Sequence, residues 1–160
     1  KAESAFCRIG QLLGYICQRP DKEIRQGPDV LWCTASKKYI LIECKTEVLL
    51  ARKSISKSEA GQMEEHCAWF EATYGEDTLF EPILVIPTER LAKDAYFSHD
   101  TKVLKKEGLV NLKKQIRDFF KEFKKFDFSG LDADLINQKL VAHNLHNDQF
   151  LQKFVVSPQK

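Results

Sequence analysis

Asp29, Glu43 and Lys45 are the residues whose types and spacing can do chemistry. Pro28-Asp29 precedes the apolar run from Val30 to Thr34, and Glu43-Cys44-Lys45 closes a second one, Tyr39-Ile40-Leu41-Ile42. On a strand, alternate residues share a face, so Leu41, Glu43 and Lys45 point one way and Ile40, Ile42 and Cys44 the other. A strand that buries four apolar residues and then carries two charges on one face is costly unless the charges serve something. Two carboxylates converging on one point repel unless a cation lies between them, and a hard divalent ion such as magnesium prefers carboxylate oxygen and water. Lys45 can then orient or activate a water held by that ion.

The elements that must position these groups follow from patterning. The polar stretch Ala35-Ser36-Lys37-Lys38 separates strands near 29–34 and 38–46 and reads as a hairpin that folds Asp29 toward Glu43. Ahead of it, helical spacing predicts a helix over 2–17 that stops at Arg19-Pro20, and Lys22-Glu23-Ile24-Arg25 reads as a short edge strand. A second helix spans about 56–74, capped by Ser56 or Ser58 and ended by Gly75. The apolar run 82–86 between Pro82 and Pro87 suits a buried strand, and strand, helix, strand implies a parallel pair with a right-handed connection. Thr88-Glu89-Arg90 opens a short helical turn, a basic amphipathic helix covers about 109–125, and a last helix runs from Asp132 to about His146. The order gives an α/β sandwich around a small mixed sheet.

The 160 residues, 43% hydrophobic and 30% charged, describe one globular domain. No apolar window approaches about 18 residues and no signal segment opens the chain, so membrane insertion and secretion find no support and a cytoplasmic location is expected. The chain starts at Lys1 rather than methionine, as an excised part of a larger protein would. The five cysteines form no C-x-x-C pair and read as reduced, packed thiols, which leaves zinc without a ligand set. His143 and His146 lack a third ligand and read as a solvated helix face. Between Lys102 and Phe126 nine basic residues meet three acids, an excess of +6 that leaves the remainder at −4. Such asymmetry suggests a patch that meets phosphate.

Glu3 in the first helix, Pro28-Asp29, Glu43-Cys44-Lys45 and Gln62 in the helix after the hairpin resemble, in order and spacing, the PD-(D/E)XK nuclease superfamily, the restriction-endonuclease-like fold. With Leu13-Gly14-Tyr15 after the helix, the first ninety or so residues look most like the Mrr-type restriction endonucleases and archaeal Holliday-junction resolvases. The resemblance implies an αβββαβ core with a mixed central sheet flanked by helices over 1–100; patterning alone adds a C-terminal helical extension of the same domain over 101–154 and a tail over 155–160. It also implies a metal-dependent phosphodiesterase. Asp29 and Glu43 would ligate Mg2+ or Mn2+ with the backbone carbonyl of Cys44, and Glu3 would be an accessory ligand. Lys45 would position the attacking water and stabilise charge at phosphorus, and Gln62 would hydrogen-bond near the lysine or the substrate backbone.

Each feature also has a plainer reading. Glu-x-Lys at a strand end is often an exposed ion pair of little energetic weight, and Gln62 could be an ordinary polar residue. Glu47, Lys57 and Glu59 read as solvated or secondary contacts, whereas Trp32, Trp69, Phe70 and Tyr74 read as core. The basic helix turns Leu109, Leu112, Ile116, Phe119, Phe120 and Phe123 inward and offers Lys113, Lys114, Arg117 and Lys121 to a nucleic-acid backbone. The partners this implies are nucleic acid, DNA ahead of RNA, a helicase, ATPase or specificity domain in cis or in trans, and a second copy of the chain. The alternative function is a catalytically inactive nucleic-acid-binding or protein-docking module on the same fold.

Overall fold

The computed structural model describes residues 2–45, 52–126, 128–147 and 149–160. The chain separates into two compact units, one of residues 1–105 with 156–160 and the other of residues 106–155.

The first unit is built on an open mixed sheet of five strands in the order β1-β2-β3-β4-β5. Helix α1, Ala2–Leu12, is shorter than its apolar spacing predicts. Gly14, at φ 84°, turns the chain out of the helix while the amide of Tyr15 closes on the carbonyl of Gly10, a glycine-dependent C-terminal stop. Residues 16–18 become β1, Ile16–Gln18, antiparallel to β2. Pro20 does not end a helix but begins one, α2, Pro20–Ile24, because the first helical position needs no amide hydrogen and its φ suits proline. The expected charged strand at 22–25 is therefore absent.

Strands β2, Val30–Ala35, and β3, Lys38–Cys44, form the hairpin, with Lys37 in the left-handed conformation in the two-residue turn. Its register opposes Val30 to Ile42 and Leu31 to Leu41. Helix α3, Lys57–Tyr74, starts in a capping box in which Ser56 and Glu59 exchange side-chain and backbone hydrogen bonds. Glu59 is thus a buried cap, also paired with Arg52, rather than a solvated residue. β4, Leu79–Val85, runs parallel to β3, the relation expected of strand, helix, strand. β5, Lys102–Leu104, adds a parallel edge that three residues do not announce in a sequence. No helical turn forms at 88–90; Arg90 instead bridges to Gln159 and Leu91 to Ile55. Residues 156–160, within the expected tail 155–160, return to this unit, where Val156 pairs with Val103.

Helices cover both faces of the sheet. On one face Trp32, fully buried, packs against Phe6 and Tyr15, and its indole N–H donates to the Phe6 carbonyl at 3.1 Å. Gly10 lets α1 sit this close, since a Cβ there would lie 2.5 Å from the indole. On the other face Met63, Cys67 and Phe70 of α3 meet Leu31, Leu41, Leu84 and Val103. Trp69 and Tyr74 are only partly buried at the edge of that core.

Cys7 and Cys17 form a disulfide between α1 and β1, with their Cα atoms 5.5 Å apart, which corrects the expectation of five reduced thiols; Cys33, Cys44 and Cys67 are free. The reversal at Gly14 from α1 into β1 brings the two cysteines together without any short sequence motif. No helix among the described residues is long and apolar enough to cross a membrane.

The second unit contains α4, Lys106–Glu122, the short turns Phe123–Lys125 and Phe128–Gly130, α5, Ala133–Ala142, and α6, Phe150–Phe154. Among its described residues Leu112, Phe119, Leu145, Phe150 and Phe154 are buried. Phe120, expected inside, is 39% exposed because it follows Phe119, which already takes the inward position. His143 is not solvated: it pairs with Glu122, which Lys139 also reaches at 2.5 Å.

Candidate active site

The hairpin register delivers the two carboxylates to one place. Because Val30 faces Ile42, Asp29 stands beside Glu43 at the open end of β2 and β3. Asp29 Oδ2 accepts the backbone N–H of Cys44 at 2.8 Å, and the Asp29 amide approaches Glu43 Oε2 at a long 3.4 Å. The Lys45 amide donates to the Val85 carbonyl at 2.9 Å, so the segment after Glu43 is still fastened to β4.

Glu43 is a buried carboxylate, 4% exposed, on the sheet face that α3 covers. Such a group is tolerated only with compensating charge or hydrogen bonds. Lys45 Nζ donates to Glu43 Oε1 at 2.8 Å and to Gln62 Oε1 at 2.5 Å. His66 Nε2 lies 3.1 Å from Glu43 Oε2, close but without the alignment of a full hydrogen bond. Burial pushes the Glu43 carboxyl up, but the His66 and Lys45 contacts outweigh it and hold the group below its ordinary range.

Asp29 behaves oppositely. Burial first, then the neighbouring Glu43, push its pKa up to about 6 against the pull of the Cys44 amide, and the charges of Glu3 and Asp21 add to the rise. No cation among the described residues pairs with it. The two carboxylates are therefore a site short of positive charge on the Asp29 side.

Each residue singled out in the sequence now has a place. Asp29, Glu43, Lys45 and Gln62 are brought together. Glu3 is near enough for its charge to reach Asp29, yet its carboxylate pairs with Arg19, which also donates to Ser4 Oγ at 3.2 Å. Cys44 presents its backbone here, and burial and the nearby carboxylates keep its thiol protonated. Glu47 lies outside the described residues. Of the α4 cations, Lys114 and Lys121 pair with Asp118 at 2.9 and 3.3 Å, and Lys113 and Arg117 are exposed.

Comparison with family models, with curated proteins and with solved structures finds no match.

His66 is the residue that sequence reasoning missed. Its signal was present: it follows Gln62 by four positions, one turn along the helix that packs on the carboxylate-bearing face. Among the described residues, no three or more histidine, cysteine, aspartate and glutamate side chains gather as a ready ligand set. Two carboxylates with a backbone carbonyl suit a hard ion that keeps several waters, such as magnesium, better than an ion that needs a closed protein cage.

Proposed function

We propose that the chain is a divalent-metal-dependent nuclease domain of the PD-(D/E)XK type, on a restriction-endonuclease-like fold, that hydrolyses phosphodiester bonds. The observation that carries this reading is the junction of Asp29 and Glu43 with a lysine bonded to both Glu43 and Gln62. The raised pKa of Asp29 supports the fit of a cation, because a carboxylate beside a second one and without a positive partner gains most from that charge.

Asp29, Glu43 and the Cys44 carbonyl would hold Mg2+ or Mn2+, which when bound supplies Lewis-acid polarisation of the phosphoryl oxygen and a more acidic water. The residues themselves do the rest. Lys45 donates to Glu43 and to Gln62, and the one remaining hydrogen of its ammonium group would orient the attacking water while its charge meets that developing on the phosphoryl oxygens. His66 fixes Glu43 from the side opposite Lys45, so that the carboxylate keeps one orientation. Arg19 steadies Glu3, whose role is to add negative charge near Asp29.

DNA is the first substrate in this reading, within a restriction, repair or defence system, and a helicase, ATPase or specificity domain would choose the target. The exposed cations Lys113, Lys114, Arg117 and Lys121 of α4 suit phosphate contacts that position without reading bases. The test is incubation with labelled duplex DNA, single-stranded DNA and RNA, with magnesium, manganese or chelator. Metal-dependent cleavage lost in Glu43→Ala and Lys45→Ala is expected. Binding without cleavage in every condition would instead make the chain a docking module on this fold.

A further inference from the structure

Gly61 occupies the second turn of an 18-residue helix, a position where glycine weakens a helix relative to alanine. Gly10 and Gly27 answer to a neighbour, a Cβ coming 2.5 Å from Trp32 at the first and 2.6 Å from Trp69 at the second, and Gly14 and Gly75 answer to positive φ values of 84° and 82°. Gly61 lies in the helical region, and among the described residues a Cβ there would meet nothing within 4 Å. The space belongs to a shallow open groove whose described lining is Lys57, Ser58, Gly61, Gln62 and Glu65, all on one flank of α3. The helix end itself is closed by the Ser56–Glu59 capping box, so the groove is a feature of the helix flank. Lys57, Gly61 and Glu65 follow one another at four-residue intervals along one stripe, with Ser58 and Gln62 on the next. Gln62 is shared: it lines the groove and accepts from Lys45 at 2.5 Å.

We infer that this groove is the track along which a nucleic-acid strand reaches Lys45, its sugar-phosphate backbone lying against Gly61. Lys57 and Ser58 donate to a phosphate adjoining the one that is cut, and the absent side chain at position 61 allows backbone to approach backbone. The groove is continuous with the reacting centre through Gln62, and its cation lies at the Lys57 end. Glu65 repels phosphate at the far end and so turns the strand toward Gln62. This inference rests on the nuclease reading, and it names which surface takes the substrate.

The test places side chains of increasing size in the groove. Gly61→Ala, Gly61→Leu and Gly61→Phe are compared with wild type for melting temperature, for magnesium affinity, and for binding of a fluorescently labelled oligonucleotide, single-stranded and duplex, with calcium replacing magnesium to suppress cleavage. Expected are melting temperatures equal to or above wild type, unchanged magnesium affinity, and oligonucleotide binding that weakens with side-chain size, by about tenfold or more for phenylalanine. Lys57→Ala should also weaken binding and lower its salt slope by about one. Wild-type affinity and cleavage in Gly61→Phe would overturn the track while leaving the nuclease reading intact. A wild-type protein that neither binds nor cuts any of the oligonucleotides would overturn both.

Discussion

The Asp29 carboxylate and the Cys44 backbone amide are joined across the hairpin, Oδ2 accepting the N–H at 2.8 Å. This bond fixes a carboxyl group on one strand against the residue that follows Glu43 on the other. The backbone thereby holds Asp29 in a partly buried place beside Glu43; burial first and the like charge second raise its pKa, a cost that the Cys44 amide only partly offsets.

That cost has a sign. A carboxyl whose pKa rises from 3.8 to about 6 on folding favours the native state most below its ordinary value, and this contribution is lost as pH rises through about 6. In chelator, Asp29→Asn should therefore melt higher than wild type above pH 6, and the advantage should vanish toward pH 3.8. Thermal melts across that range check it. An asparagine variant that is no more stable than wild type above pH 6 would contradict the assignment of strain to Asp29.

His66 should matter through Glu43. His66→Ala is expected to weaken magnesium affinity by about 10–100-fold, the range for partners that orient metal-holding residues, while His66→Gln recovers part of it. Calorimetric titration of the two variants decides. Equal magnesium affinity in wild type and alanine variant would reduce His66 to packing.

A second histidine makes a pH-dependent clasp away from the site. His99 Nδ1 meets Glu64 Oε2 at 2.8 Å and Nε2 meets Glu71 Oε1 at 3.3 Å, while the Ser98 and His99 amides reach Glu64 Oε1. Burial lowers the His99 pKa, but the bonds to Glu64 and Glu71 outweigh it and raise it above 6.5. The stabilisation is complete below 6.5 and lost as pH rises through the raised value. His99→Gln should cost about 0.5–1 kcal/mol below that value and little at alkaline pH, as chemical denaturation at both pH values would measure. Equal costs at the two would exclude the charged clasp.

The Cys7–Cys17 link closes a loop across a sequence separation of 10, which corresponds to about 2–3 kcal/mol of lost unfolded-state freedom. Cys17→Ser, or reductant, should lower the melting temperature by the equivalent amount. Identical melts with and without reductant, with both thiols found free by alkylation, would remove the link.

The hairpin and its charges were legible because a two-residue periodicity and a polar turn place Asp29, Glu43 and Lys45 with few alternatives. The capping box of α3 was legible for the same local reason, Ser56 and Glu59 standing three apart. What escaped depends on contacts distant in sequence. β1 and β5 have three residues each and exist through their pairing with β2 and β4. At Pro20 the charged residues that follow suggested an edge strand, but proline at the first helical position decided for α2. The disulfide joins cysteines with no motif between them, and His66 earns its place only when α3 is laid over Glu43.

The proposed chemistry depends on whether Asp29 and Glu43 hold a cation. Calorimetric titration of the chain with manganese or magnesium measures this directly, with Asp29→Asn and Glu43→Gln as partners. Saturable binding by wild type that is lost in both variants, while both still unfold in a cooperative melt and Asp29→Asn melts near or above wild type, is the result expected. Absence of saturable binding in wild type, or equal binding in all three proteins, would contradict the site.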